Sequence, residues 1–340
     1  MSIFCHALNV SQLQIALSSA RVGSYQSLIG GGKVDAAIGA YTWGLELNAA
    51  FSPLLSMVEV VLRNRLHETA SAIFNKSDWY QNVLKNNGDH LWQRTLHNTP
   101  SIVQSFYRKG HPPHDKRHVW INGHRKSLKH WRSPAESKFE EIVSRLKNSG
   151  KLVTPDQIVA HAMFGFWLIL LGPSFESTTD PLALWPNCTT GTFSNNANMD
   201  RSSAYAALDR IKSLRNRISH HEPVWRMARP LTPAGVNATL GACIQEMHDL
   251  LISMEPECVG LLKNAGILSR LSWLIDPRTI AAFAGNQSAS SVDLRSIARS
   301  VRKLTKSSHR TQISTPLPSP SKAIDIHYAG RTVLAVLPYA

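Results

Sequence analysis

DRSSAYAALDRIKSLRNRISHHEP, residues 200–223, is the stretch on which the fold reading turns. Asp200 is a good helix N-cap. Ala204, Ala207, Leu208, Ile211, Leu214 and Ile218 fall within one sector at about 100° per residue, so the stretch predicts an amphipathic helix over residues 200–221. Pro223 ends it, because the residue before a proline, here Glu222, is pushed out of the helical region. Two more stretches carry comparable signals. Residues 52–74 offer Ser52 as a cap, Pro53 at the tolerated first position, and Leu54, Leu55, Val58, Val61, Leu62 and Leu66 at helical spacing. In residues 154–171, Thr154 and Gln157 form a capping-box pattern around Pro155, and Gly172-Pro173 stops the helix.

Weaker helical patterns cover residues 11–22, 34–50, 90–107, 135–147, 236–254 and 267–274, and strand alternation is nearly absent until the last residues. The expected fold is all-α, a helical bundle with long loops over residues 1–275, followed by a basic, partly disordered Ser/Thr/Pro-rich tail over 276–340. From Asp293 onward the tail holds eight Lys or Arg against two Asp, which is +6 of the chain's +14, and a basic helix is expected over 292–304. A chain of 340 residues, 43% hydrophobic and 18% charged, is long enough to bury a substantial core. Its positive excess favours a polyanionic partner, nucleic acid before an anionic membrane surface.

Cys5, Cys188, Cys243 and Cys258 are far apart with no CxxC pair, which argues against a zinc ribbon, a thioredoxin-like site and a disulfide scaffold. The first ten residues lack a basic and apolar leader pattern. The most apolar run, residues 162–171, is about half the length of a membrane span. The expectation is a cytoplasmic chain with no membrane partner.

The chemistry-bearing cluster closes the quoted stretch. Arg and His near a helix C-terminus complement its dipole and last carbonyls, and that ordinary role fits any helix. Here, however, Asn216 and His220 sit about 40° apart, away from the buried stripe. Cleaving RNA with its own 2′-hydroxyl needs a group that moves a proton, a cation for the phosphorane charge, and a donor that fixes the phosphate. His220, Arg215 and Asn216 supply these three, and no metal or other cofactor is called for.

Arg215-Asn216-x-x-x-His220, with His221-Glu222-Pro223 after it, resembles the RNxxxH signature of HEPN-domain proteins, and more narrowly the abortive-infection (Abi-like) family. Tyr41-Thr42-Trp43-Gly44, Glu59-Val60-Val61-Leu62-Arg63-Asn64, Asp78-Trp79-Tyr80, and Phe164-Gly165-Phe166-Trp167 with Leu184-Trp185 follow that family's order, so the likeness spans residues 13–274. Gly44 departs from it, standing where the family pattern has Asn, and the tail is long for the family. The resemblance implies a HEPN fold that dimerises, a metal-independent endoribonuclease leaving a 2′,3′-cyclic phosphate, and a toxin or antiviral role, with an antitoxin of protein or RNA as a further partner. Carried onto this chain, Arg215 and His220 are catalytic and Asn216 orients them. A HEPN module that binds RNA or a protein without cutting is the alternative.

Several other residues have two readings. Glu59 and Arg63 form an i, i+4 helix pair, or else support the site, with Glu59 orienting Arg215 or Arg63 contacting phosphate; His221 also supports it. In the loop over residues 109–132, Arg117, Arg125, Lys126, Lys129 and Arg132 alternate with Trp120 and Trp131, a composition suited to RNA contact, as is Arg217. The histidines in the same loop, His111, His114, His118, His124 and His130, lack the cysteines, carboxylates and spacing of a zinc site, although a metal-dependent hydrolase built on them remains a distinct reading. Phe164, Phe166 and Trp167 read as core.

Overall fold

The computed structural model describes residues 9–97, 118–121, 124–127, 133–285, 290–293, 324–328 and 331–336, with side-chain surroundings for 9–91 and 133–285. The described chain is mostly helical. The helices are α1 Val10–Leu17, α2 Ser19–Leu28, α3 Val34–Ile73, α4 Tyr80–His97, α5 Pro134–Asn148, α6 Pro155–His161, α7 Phe164–Leu170 and α8 Thr189–Thr192. They continue with α9 Arg201–Ser219, α10 Pro233–Met254, α11 Pro256–Asn264, α12 Ile267–Ile275 and α13 Pro277–Phe283. An antiparallel hairpin joins β1 His118–Ile121 to β2 His124–Ser127. A three-stranded sheet orders β3 Ser290–Asp293, β4 Ile324–Tyr328 and β5 Arg331–Val336, with β3 parallel and β5 antiparallel to β4. The β4–β5 pairing falls where strand alternation first appears in the sequence. Val292 and Asp293 lie in β3, so the basic helix expected from 292 does not begin there; its remainder lies outside the described residues.

The described residues form two compact units, each drawn from separated segments: Met1–Leu55, Leu214–His248 and Gly260–Ala340 in one, Ser56–Ser213 and Asp249–Val259 in the other. In the first, Val22, Tyr25, Trp43, Leu47, Phe51, Trp225, Leu271 and Leu274 are buried, and the Trp43 indole Nε1 donates to the Leu274 carbonyl at 2.7 Å. This core continues past the compositional shift at residue 276, with Ile280 and Phe283 of α13 buried. In the second, Val58, Leu62, Leu66, Trp79, Ile142, Phe164, Phe166, Trp167, Trp185 and Leu208 are buried, so the aromatic run of α7 is core as its spacing implied. The Trp185 indole donates to the Leu170 carbonyl at 2.8 Å.

Helix α4 starts ten residues before the pattern read over 90–107, whose last ten residues lie outside the described ones, and three other stretches differ from expectation for identifiable reasons. Residues 34–50 and 52–74 are a single helix, α3, with Pro53 inside it. Ser52 does not cap a new helix, because its hydroxyl donates back to the Asn48 carbonyl at 3.5 Å. Proline removes one ladder bond, and Ala49, whose carbonyl loses that partner, is solvent-exposed, which lowers the cost of the interruption. The run 154–171 is broken into α6 and α7 by extended backbone at Ala162 and Met163. The break lets Phe164, Phe166, Trp167, Leu168 and Leu170, which a straight surface helix would spread around its circumference, all be buried. Thr154 caps α6 through the Gln157 N–H at 3.3 Å, but the reciprocal half of the box is absent, since Gln157 Oε1 has no partner. The pattern over 11–22 resolves into α1 and α2, separated at Ser18, whose φ is +68°.

Among the described helices α3 is long and apolar enough to cross a membrane, and 44% of its most apolar window is buried inside the protein.

Candidate functional site

Helix α9 begins as the sequence predicts, with Asp200 Oδ1 accepting the Ser203 N–H at 2.6 Å. Ala204, Ala207, Leu208, Ile211 and Leu214 are buried, whereas Ile218 is only half-buried. Its C-terminus is built by a device that the sequence reading did not find. The Glu222 N–H donates to the Arg217 carbonyl at 2.8 Å and the His221 N–H to the Ile218 carbonyl at 3.0 Å. These are the two bonds of a Schellman motif, with His221 at the left-handed position, φ +55°. The αL backbone of His221, ahead of Pro223, stops the helix and turns the chain.

Two side chains hold this turn. Arg217 Nη1 pairs with Glu222 Oε2 at 3.0 Å, so the guanidinium proposed for RNA contact is tied to the turn. Asn48 of α3 donates from Nδ2 to the Glu222 carbonyl at 3.3 Å, while its Oδ1 is buried without a partner. No local pattern could have pointed to Asn48, which meets Glu222 only through the folded chain.

The turn borders a groove of about 530 Å³. Arg21 and Tyr25 line it from α2, Tyr41, Leu45 and Asn48 from α3, and His220 and His221 from the end of α9. Both imidazoles are exposed. Asn216, one turn before His220, is exposed, and Arg215 is half-buried; neither is among the residues lining the groove. The groove thus takes in both histidines and is not lined by Arg215.

Gly44 acquires a reason here. A Cβ at this position would stand 2.3 Å from the Tyr25 hydroxyl and 2.9 Å from its ring. The phenol of Tyr25 fills the space that a side chain at position 44 would occupy. Burial pushes the Tyr25 hydroxyl up to about 12, and the ring lies edge-on to Trp225 at 4.9 Å and to Tyr41 at 5.4 Å.

The chain matches no protein-family model, no curated protein and no solved structure with which it was compared.

The remaining candidates are not among the residues lining this groove. Glu59 and Arg63 belong to the second unit, where Glu59 is half-buried and Arg63 Nη1 donates to the Ala160 carbonyl at 3.4 Å. Four residues on, His67 accepts the Trp79 indole N–H at 3.1 Å, and burial pushes its pKa below the ordinary histidine value, with Asp156 acting in the opposite direction. Arg125 and Lys126 lie in β2, with side chains outside the described ones; Arg117, Lys129 and Arg132 lie outside the described residues altogether. So do His111, His114 and His130 of the zinc reading. Among the described residues no group of three or more His, Cys, Asp or Glu is gathered to hold a metal ion.

A second cavity, of about 320 Å³, lies within the second unit against α4. Asp180 organises its wall, accepting from Asn86 Nδ2 at 2.6 Å, His90 Nε2 at 3.1 Å and the Leu182 N–H at 2.9 Å. Burial opposes the charged carboxylate, but those donors together hold its pKa below the usual carboxylate range. Asn87, deeply buried, donates to the Ser174 carbonyl at 2.6 Å. The bonds of Asn86, Asn87 and His90 fix the 173–183 segment to α4 and that of Leu182 braces it internally, which accounts for the cluster as a structural network.

Proposed function

We propose that this chain is a HEPN-type, Abi-like endoribonuclease that cleaves RNA without a metal ion. The observation that carries the reading is the exposure of the His220 and His221 imidazoles along a groove at the end of the signature helix. In this reaction the RNA 2′-oxygen attacks the adjacent phosphorus, and its proton leaves to a base. The P–O5′ bond breaks, giving a 2′,3′-cyclic phosphate and a 5′-hydroxyl that takes up a proton. His220 carries proton transfer, Arg215 balances the charge of the phosphorane, and Asn216 donates to a phosphate oxygen. His221 supports His220 in the groove, and the chain's +14 charge draws RNA towards it.

The placement of Arg215 supports a two-copy site. A symmetric homodimer bringing two signature helices together would supply to each groove the Arg215 guanidinium that does not line it in one copy. The biological role that follows is a toxin or antiviral effector restrained by an antitoxin of protein or RNA. The same placement also favours, if no second copy docks, the alternative of a module that binds RNA or a partner without cutting. Digestion of RNA in excess chelator separates the two. The nuclease reading expects cleavage by the wild type and its loss in a folded His220→Ala variant. Salt-sensitive binding with no cleavage supports the binding module instead.

A further inference from the structure

We infer that the groove beside His220 contains a nucleobase subsite formed by Tyr41 and Leu45 of α3, with Arg21 of α2 placed for a phosphate. The inference rests on the RNA reading above and specifies which residues grip the substrate.

Tyr41, Leu45 and Ala49 follow one another at i, i+4 and i+8, and therefore share one face of α3. That face is open. Leu45 is 52% exposed, Ala49 is exposed and Tyr41 is half-buried, although each lines a groove that also holds two imidazoles and a guanidinium. An exposed leucine alone needs no explanation, but an aromatic and apolar strip beside cationic groups in one concavity has the composition of a nucleotide site. The groove's 530 Å³ lies in the range of about 300–1,000 Å³ typical of small-ligand sites. The platform has an aromatic neighbour: Tyr25 meets Tyr41 at an interplanar angle of 77° and itself meets Trp225 at 65°, and among the described residues no ring stacks on Tyr41. Gly44 keeps the space that Tyr25 requires. An unstacked base can lie on such a surface, whereas a base paired within a duplex cannot reach it without leaving its stack.

The test is binding of a 2′-O-methyl tetranucleotide, which cannot undergo 2′-attack, compared with an abasic sugar–phosphate of the same length. The subsite predicts that the intact oligonucleotide binds more tightly than the abasic one. Tyr41→Ala should weaken the former about 5- to 150-fold, as loss of one base–aromatic stack does, and Tyr41→Phe should leave it nearly unchanged. Leu45→Ala, at an exposed position that does not threaten folding, should weaken it several-fold, and Arg21→Gln should lower the salt slope by about one phosphate contact. Equal binding of intact and abasic oligonucleotides, or wild-type affinity in both Tyr41→Ala and Leu45→Ala, would overturn the subsite. A protein that cleaves RNA yet shows this indifference keeps the nuclease reading and loses the subsite. One that binds in a Tyr41-dependent way yet cleaves nothing keeps the subsite and loses the nuclease reading.

Discussion

His221 occupies a backbone conformation that glycine adopts freely and that other residues adopt at a cost of about 1–2 kcal/mol. Histidine tolerates this position better than most, but the Schellman turn would accept glycine readily. His221→Gly is therefore expected to preserve stability or raise it by up to about 1 kcal/mol, and His221→Val to lower it by about 1–2 kcal/mol, read from urea midpoints. If the histidine serves the groove, the glycine variant is the one that remains folded and loses activity. Gly44 makes the opposite case. Its substitution by Ala forces a Cβ against the Tyr25 phenol, which is 3% exposed. A loss of about 1–3 kcal/mol is expected, as for other overpacked cores, and Tyr25→Phe should relieve part of it in the double variant. From sequence alone Gly44 was legible only as a departure from a family pattern. Its cause is a ring nineteen positions earlier in the chain.

At the scale of elements, long amphipathic helices were legible and several of their ends were not. The stripe of α9 and its Asp200 cap lie where apolar spacing placed them, because a 3.6-residue period is a property of local sequence. Pro53 was read as a helix start, yet it lies within α3, since packing on both sides of it outweighs one lost hydrogen bond. The 162–171 run, apolar on every side, gave periodicity nothing to resolve, and the break at Met163 is set by burial. Asn48, which steadies the turn after α9, belongs to the same class of tertiary fact. A pH prediction also belongs here, at the link between α3 and Trp79. The unfolded chain binds a proton at His67 near pH 6.5, while burial lowers the folded-state pKa. This group's contribution to stability is therefore present above about pH 6.5 and is lost as pH falls from there towards the folded value. Denaturation midpoints of the wild type between pH 7.5 and 5.5 should fall more steeply than those of His67→Gln. Parallel curves would show that His67 carries none of the pH dependence.

For the whole molecule, the proposed reaction requires Arg215 and His220 to meet at one phosphate. The groove of a single copy is lined by His220 and not by Arg215, so a site shared between two copies has a simple consequence. Arg215→Ala and His220→Ala, each inactive alone, should regain cleavage when mixed under conditions that exchange subunits. Mixing that restores nothing would contradict a shared site. Charge acts at this scale too, and RNA affinity should fall steeply with salt, in keeping with the chain's +14. The most direct measurement of the central claim is the chemistry of the cut ends, determined by mass spectrometry on RNA digested in excess chelator. A metal-independent cut by the RNA's own 2′-oxygen predicts 2′,3′-cyclic phosphate and 5′-hydroxyl ends that disappear with His220→Ala. Ends carrying 3′-hydroxyl and 5′-phosphate, or the same products at full rate from His220→Ala, would contradict it.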